Sequence, residues 1–236
     1  MSNVPFTKDN VDCYLKELSK EFRKMNGTKM PAEIILIGGA SVLINYGFRE
    51  MTYDMDAIIQ ASSTMKDAIN HVGERMGLPN GWLNTDFMKT TSYTPKLIQY
   101  SQYYKTFSNV LRIRTVSAEY LVVMKLMAGR QYKNDLSDVV GILLEQKNAN
   151  KEISLENIKR AAADLYDGYD NLPESSRTFI EAVYQNSDLA ELYAKVRDNE
   201  KQNKDILLEF EHDYPDVLNE DNLADVLKAA KAKKTG

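Results

Sequence analysis

The stretch that most constrains the fold is residues 34–60, IILIGGASVLINYGFREMTYDMDAIIQ. It begins with a short, β-branched apolar run that stops at Gly38 and Gly39, which predicts a buried strand followed by a tight turn. The residues after the turn alternate between apolar and polar at helical spacing, and Gly47 is placed to end a short helix with a left-handed cap. We therefore predict a strand, a glycine turn and a helix in that order.

Two carboxylates, Asp54 and Asp56, lie in the segment from Thr52 to Gln60, whose alternating pattern predicts a second strand. Side chains two residues apart leave the same face of a strand, which places these carboxylates roughly 6 to 7 Å apart. Two carboxylates on one face repel each other unless a cation lies between them. We therefore predict that Asp54 and Asp56 bind Mg²⁺ or Mn²⁺, for which carboxylate oxygens are suitable ligands.

The glycine turn can bind an anion beside this predicted metal site. Without side chains at Gly38 and Gly39, the backbone N–H groups can approach a phosphate closely, and the positive end of the following helix points at the same place. Ser41 adds a hydroxyl donor to this turn. We therefore predict that Gly38, Gly39 and Ser41 hold the phosphates of a nucleotide.

This order of residues resembles the nucleotidyltransferase superfamily related to DNA polymerase β. The signature of that superfamily is an apolar strand, Gly-Gly or Gly-Ser, a spacer, and then Asp-x-Asp between apolar residues. The segment GLPNGWLNTDF further resembles a bacterial subgroup of uncharacterised nucleotidyltransferases close to the AbiEii-type abortive-infection toxins. The resemblance implies an α+β fold, with a small mixed β-sheet as the nucleotidyltransferase core and helices flanking it.

A second segment, MKLMAGRQYKNDLSD, carries the same resemblance. It places Lys125 at the family lysine that contacts nucleotide phosphate, and Asp135 and Asp138 at the acidic positions of the last motif. Independently of the family, a lysine on an apolar helix face is costly unless it is paired, which singles out Lys125 from the other lysines. Arg130 and Lys133 are interpreted as solvated side chains.

A third metal-binding carboxylate, which many enzymes of the superfamily carry on a later central strand, is missing from the predicted strand VLRIRTV. Three alternatives remain open. Asp86, Asp135 or Asp138 takes that role, or two aspartates alone hold the metal, or the activity has been lost. In the last case the chain is a catalytically silent module that binds a nucleotide or a protein.

The domain organisation follows from a change of pattern near residue 146. Residues 147–236 lack strand-like alternation and show helical spacing throughout, so we predict a nucleotidyltransferase core at residues 1–146 and an all-helical C-terminal domain at residues 147–236. Two isolated residues are interpreted by their type and surroundings, Arg49 as part of a surface loop and Cys13 as a small buried residue.

Composition excludes several classes of function. The formal net charge of −4 argues against a protein that covers long nucleic acid by neutralising its phosphates. One cysteine and two histidines exclude an internal disulfide and a cysteine- or histidine-based zinc site. The sequence has no apolar run of membrane-spanning length and no signal peptide, so we expect a cytoplasmic protein that does not contact a membrane.

The resemblance implies that the chain moves a nucleoside monophosphate from an NTP to an acceptor hydroxyl and releases pyrophosphate. Asp54 and Asp56 would hold the metal, Lys125 would stabilise charge on the phosphates, and Asp135 or Asp138 would act as base or complete the metal shell. The acceptor is an RNA end, a protein or a small molecule. The toxin-type relatives imply a toxin with an antitoxin protein as its partner.

Overall fold

The structure is a computed structural model that describes residues 5–219 and 222–234. Its strands are β1 (Phe6–Thr7), β2 (Ala32–Leu36), β3 (Met51–Thr52), β4 (Met55–Gln60), β5 (Leu83–Asn84), β6 (Ser101–Phe107) and β7 (Leu111–Val116). Its helices are α1 (Lys8–Asn26), α2 (Gly38–Asn45), α3 (Thr64–Met76), α4 (Ala118–Ala128), α5 (Asp135–Asn148), α6 (Leu155–Tyr166), α7 (Glu174–Gln185), α8 (Leu189–Asp213) and α9 (Leu223–Lys234). Within these residues, no helix combines the length and the apolar composition that crossing a membrane requires.

Five of the strands form a mixed sheet in the order β5-β4-β2-β7-β6. The central strand β2 runs antiparallel to β4 and parallel to β7, with Leu36 opposite Ala57 on one side and Thr115 on the other. Apolar clusters bury both faces of β2, which explains why its sequence is a nearly continuous apolar run rather than an alternating one. The predicted fold class is confirmed, because a small mixed sheet is flanked by helices and followed by a helical C-terminal part.

The predicted strand from Thr52 to Gln60 is wrong in one respect, because it is interrupted before Met55. β3 pairs with β1 in a separate two-stranded ribbon, whereas β4 joins the main sheet. Between them the Thr52 hydroxyl donates to the Asp54 backbone oxygen at 3.2 Å and to its carboxylate at 3.1 Å. Such local side-chain bonds compete with strand pairing. Asp54 therefore lies just before β4, and Asp56 lies within it.

The sheet separates two apolar clusters. On one face, Ile34 and Leu36 of β2 pack in a cluster with buried residues of α1 and α3. Trp82, from the loop after α3, belongs to the same cluster. On the other face, Ile35 packs in a cluster that includes buried residues of α4, α5, α6 and α7. Alternate residues of one strand point to opposite faces, so β2 contributes to both clusters.

The predicted domain boundary falls inside a continuous part of this structure. Helix α5 runs without interruption through residue 146 to Asn148. The cluster on the α4 side joins Leu121 and Val140 of the predicted core to Ile158 and Ile180 of the predicted helical domain. The division into residues 1–146 and 147–236 stays a prediction, and the packing shows that the two parts share one apolar core.

One buried-residue prediction is wrong. Cys13 is exposed on α1. The buried residues of this helix include Val11, Leu15, Leu18 and Phe22, which lie along one stripe at helical spacing. Cys13 lies two residues after Val11, and so on the opposite side of the helix, where its apolar character does not bring it inside.

Candidate active site

The two glycines of the turn follow β2 after Ile37 and are the first residues of α2, at the end of the sheet where Asp56 lies. Gly38 adopts a φ of +53°, a left-handed conformation that favours glycine. A Cβ on Gly38 would lie 3.8 Å from the Asp56 carboxylate, so the turn and this carboxylate face each other. The backbone N–H of Ile37 donates to the Asp56 carbonyl at 2.9 Å, which fixes the turn against β4.

Gly39 has a different reason to lack a side chain. A Cβ there would lie 2.7 Å from the Thr52 hydroxyl and 2.9 Å from a guanidinium nitrogen of Arg49. The space beside Gly39 is thus filled by the protein's own side chains rather than kept open. Both glycines line the cleft, and the missing side chain at Gly39 also lets Arg49 approach the start of α2.

Asp54 and Asp56 differ in their surroundings. Asp54 is exposed, whereas Asp56 is half-buried opposite Asn84 of β5. Burial raises the pKa of Asp56 above its ordinary value, and the neighbouring Asp54 charge raises it further, against a smaller opposing effect of Lys133 and Arg130. A cation held by both carboxylates would favour their charged forms.

Lys125 is almost completely buried in α4, with 6% of its surface exposed. Its ammonium nitrogen lies 2.8 Å from Asp135 and 2.9 Å from Asp138, both on the first turn of α5. Burial opposes the charge of Lys125, but the two carboxylates outweigh that effect and raise its pKa. Burial alone would raise the pKa of Asp135. The charges of Lys125 and Arg130 outweigh this effect and hold the pKa of Asp135 well below its usual range.

Two arginines complete this cluster, and the sequence interpretation of both is wrong. Arg49 pairs with Asp138 at 2.6 Å and has 15% of its side chain exposed, so it is not a free surface-loop residue. Arg130 is half-buried and donates from Nε to Asp135 at 2.7 Å, so it is not simply solvated. Lys133, as predicted, is exposed. The cations and carboxylates therefore bind one another in a continuous network.

The structure brings most of the predicted site residues to one small cleft of about 100 Å³. Its lining includes the glycine turn, both carboxylates of the Asp-x-Asp motif, four cationic side chains and the carboxylate of Asp135. These residues are Gly38 and Gly39; Asp54 and Asp56; Arg49, Lys125, Arg130 and Lys133; and Asp135. Asp138 lies behind this lining and contacts it through Lys125 and Arg49.

Ser41 is the predicted phosphate-binding residue that the structure places away from the cleft. Its side chain is fully buried, and its oxygen accepts a hydrogen bond from the Val116 backbone N–H at 3.2 Å. Asn45 also donates to it, at 3.5 Å. The hydroxyl thus ties α2 to the end of β7 instead of facing a phosphate.

The candidates for a third metal-binding carboxylate are all engaged elsewhere. Asp86 has 73% of its side chain exposed and pairs with Lys89, and both Asp135 and Asp138 are bonded to cations. Among the described residues, no group of three or more His, Cys, Asp or Glu side chains is arranged to hold a metal. Two carboxylates still suit Mg²⁺, which commonly keeps several waters and takes its other ligands from substrate phosphates.

Glu200 of α8 is a buried residue that sequence reasoning did not find. Its carboxylate accepts hydrogen bonds from the backbone N–H groups of Leu136 at 2.8 Å and Ser137 at 3.3 Å, at the start of α5. Burial raises the pKa of Glu200 to about 7. No local pattern identifies it, since its partners lie 63 and 64 residues earlier in the chain.

Comparisons with known proteins found one matching family model and one similar solved structure. A family model described as nucleotidyltransferase of unknown function (DUF6036) matches residues 14–188, which include the whole cleft. An antigenic nucleotidyltransferase-like protein from Paracoccidioides brasiliensis is 14% identical, over 78% of this chain and 100% of that chain, with a TM-score of 0.40. No curated protein matches. These matches do not confirm the AbiEii-type resemblance. Because the family model covers most of the chain, the chain belongs to the nucleotidyltransferases of unknown function (DUF6036).

Proposed function

We propose that this protein transfers a nucleoside monophosphate from an NTP to an acceptor hydroxyl, with Mg²⁺ or Mn²⁺ bound by Asp54 and Asp56. The observation that carries the proposal is the convergence of the glycine turn, both aspartates and Lys125 on one cleft. Membership of a nucleotidyltransferase family supports the class of reaction.

Each part of the cleft has a role in the proposed reaction. The backbone N–H groups at the start of α2 bind phosphate oxygens, and the positive end of that helix favours the anion. The metal, when bound, neutralises charge on the phosphates and orients the reacting oxygens. Lys125 and Arg130 add positive charge to the cleft wall, where charge that develops on the phosphates is stabilised most effectively.

We propose Asp135 and Asp138 as positioning residues rather than as base or metal ligands. Both are nearly inaccessible, and their oxygens are bonded to Lys125, Arg49 and Arg130. The low pKa of Asp135 also makes it a poor acceptor for the proton of an attacking hydroxyl. Ser41 is not part of this proposal, because its hydroxyl is bonded to Val116.

Several finer aspects rest on the sequence and on the resemblance alone. These are an RNA end or a protein as acceptor, the toxin role with its antitoxin partner, and the cytoplasmic location. Growth arrest on expression, relieved by Asp54→Asn, is the expected result if the toxin role holds.

The test is Asp56→Asn, with Asp67→Asn on the exposed side of α3 as the matched control. We expect Asp56→Asn to lower NTP-dependent pyrophosphate release about a hundredfold or more, because the metal loses half of its protein ligands. The circular dichroism spectrum should not change. Titration calorimetry with each NTP and Mg²⁺ measures binding separately.

The outcomes are distinct. An undiminished rate of pyrophosphate release in Asp56→Asn would contradict the proposal. Metal-dependent NTP binding that is lost in the variant, without pyrophosphate release by the wild type, would favour the catalytically silent module instead.

A further inference from the structure

A second, larger cavity of about 770 Å³ lies beside the cleft, between the loops of the sheet and the helices α8 and α9. The two spaces share four lining residues, Arg49, Asp54, Lys133 and Asn134. The larger volume falls within the range of pockets that bind small organic molecules. Because Asp54 lines both spaces, a molecule in the larger cavity can reach the proposed metal site.

We propose that this cavity binds the acceptor, and that the acceptor is a small organic molecule with an apolar or aromatic body, an anionic group and the reacting hydroxyl. The proposal rests on the proposed function, since it names the substrate class of the same site. The phosphates occupy the small cleft, and the acceptor approaches from the larger cavity past Asp54.

The walls of the cavity are largely apolar and aromatic. The aromatic side chains are Phe48, Tyr53, Tyr132 and Tyr193, and the aliphatic ones include Met51 and Leu208. Three of them are exposed to an unusual degree for their type, with 40% of Met51, 51% of Tyr53 and 58% of Leu208 accessible. Large apolar side chains around a concave opening are typical of a binding site, because a ligand removes them from water.

Cations on α8 explain why the ligand should carry a negative charge. Lys204 and Arg197 line the cavity, and among the described residues neither forms an ion pair with a carboxylate. Arg197 donates to the Tyr193 hydroxyl at 2.6 Å, which holds its guanidinium at the cavity wall. Lys133, from the loop before α5, also lines the cavity, is exposed, and has no carboxylate partner in the described part of the chain.

The cavity also offers an unused hydrogen-bond acceptor. Two carboxylates, Glu50 and Glu211, line it alongside the cations. One oxygen of Glu211 accepts from the Asp216 backbone N–H at 3.1 Å, whereas its other oxygen is buried and has no hydrogen-bond partner in the described structure. A buried polar atom without a partner is costly, and a donor group on the ligand would satisfy it.

This chemistry favours a small molecule over an RNA end. Binding a strand requires a continuous row of cations along its phosphates. Here three cations line the cavity among largely apolar side chains and are accompanied by Glu50 and Glu211, in a protein of net charge −4. A compact ligand with one anionic group fits this arrangement.

The first test uses anilinonaphthalene sulfonate, a fluorescent probe with an aromatic body and one negative charge. We expect saturable binding to the wild type, weakened about tenfold by Leu208→Trp, which fills the cavity, and several-fold by Lys204→Glu. The matched controls are Met30→Trp and Lys201→Glu, which should bind the probe as the wild type does. Met30 and Leu208 are both 58% exposed, and Lys201 lies on α8 outside the cavity lining.

The second test asks which molecule occupies the cavity during the reaction. Saturating NTP with Mg²⁺ should leave the probe's affinity unchanged, and NTP labelled at the α-phosphate should transfer its label to the small-molecule fraction of a cell extract. The Leu208→Trp variant should lose that transfer relative to Met30→Trp.

Each contrary result points to a different error. The absence of saturable probe binding, or equal binding by Leu208→Trp, overturns the assignment of the cavity. Displacement of the probe by NTP means that the cavity holds the nucleotide. Label in the RNA or protein fraction, or NTP binding without transfer to small molecules, overturns the acceptor class. Failure of NTP to bind at all refutes the proposed function instead.

Discussion

At the scale of single residues, Lys125 shows how the cleft maintains a buried charge. Asp135 and Asp138 both bond its ammonium group. Arg130 bonds the other oxygen of Asp135, and Arg49 bonds the same Asp138 oxygen that Lys125 contacts. Removing one partner from a buried ion pair leaves a charge that water does not solvate. Replacing Lys125 should therefore affect stability as well as nucleotide binding.

We predict that Lys125→Met lowers the free energy of unfolding by about 3 kcal/mol, because Asp135 and Asp138 then repel each other without the cation between them. Urea denaturation followed by circular dichroism measures the change. The matched control is Lys66→Met on the exposed side of α3, which should alter stability by less than about 0.5 kcal/mol. Equal stability of the two variants would show that the cluster does not depend on Lys125.

At the residue scale, the sequence indicated that Lys125 needs a partner, but it misjudged Arg130, although its partner Asp135 lies only five residues away. The pairing of Lys125 was expected from its apolar helix, and its partners lie only 10 and 13 residues away. Arg49 was misjudged because its partner Asp138 lies 89 residues away, and no local pattern reports such a contact. Cys13 was misjudged for another reason, since its residue type was weighed above its position relative to Val11.

At the scale of elements, α8 positions the start of α5 through Glu200. Its carboxylate accepts from two backbone N–H groups there, and Asn203 donates to the Gln131 backbone oxygen at 2.6 Å. Burial raises the pKa of Glu200 from 4.5 to about 7. Between these values the folded protein keeps a proton that the unfolded chain releases, so this group's contribution to stability falls as pH rises through the window.

We predict that Glu200→Gln becomes progressively more stable than the wild type as pH rises from about 5 to about 8, by about 2 to 3 kcal/mol, because glutamine cannot ionise. Its amide oxygen can still accept from Leu136 and Ser137. Urea denaturation at both pH values measures the difference, and Glu74→Gln, on an exposed part of α3, should show no such trend. A constant difference between Glu200→Gln and the wild type would rule out ionisation of Glu200 in this range.

Elements were predicted from sequence more reliably than their contacts. The strand, glycine turn and short helix at the start of the motif are confirmed by β2 and α2, and the helical C-terminal part by α6 to α9. The left-handed cap predicted at Gly47 is wrong, because α2 is capped by Tyr46 in extended backbone. The break between β3 and β4 was missed because the hydrogen bonds of Thr52 to Asp54, rather than the apolar pattern, decide it. The contact of α8 with α5 was missed because helical spacing identifies a buried face but not its partner.

At the scale of the whole molecule, the shared core opposes independent folding of two halves. The α4-side cluster includes residues on both sides of residue 146, and β2 links it to the cluster that contains Trp82. A unit that unfolds alone would expose a face of this core to water. The structure therefore predicts one cooperative transition.

Two probes test this prediction at opposite sides of the sheet. Trp82 is the single tryptophan, and it is 2% exposed on the α1 and α3 side, so its fluorescence reports that cluster. Far-ultraviolet circular dichroism reports the helices, many of which lie beyond residue 146. We expect both signals to change at the same urea concentration, with one midpoint.

A variant on the far side sharpens the test. Ile180 of α7 is fully buried in the α4-side cluster, so Ile180→Ala should lower the free energy of unfolding by about 2 to 4 kcal/mol through the cavity it leaves. If the chain is one cooperative unit, the fluorescence of distant Trp82 shifts by the same amount as the circular dichroism. If residues 147–236 fold alone, only the helical signal shifts, and the boundary at residue 146 then separates two domains.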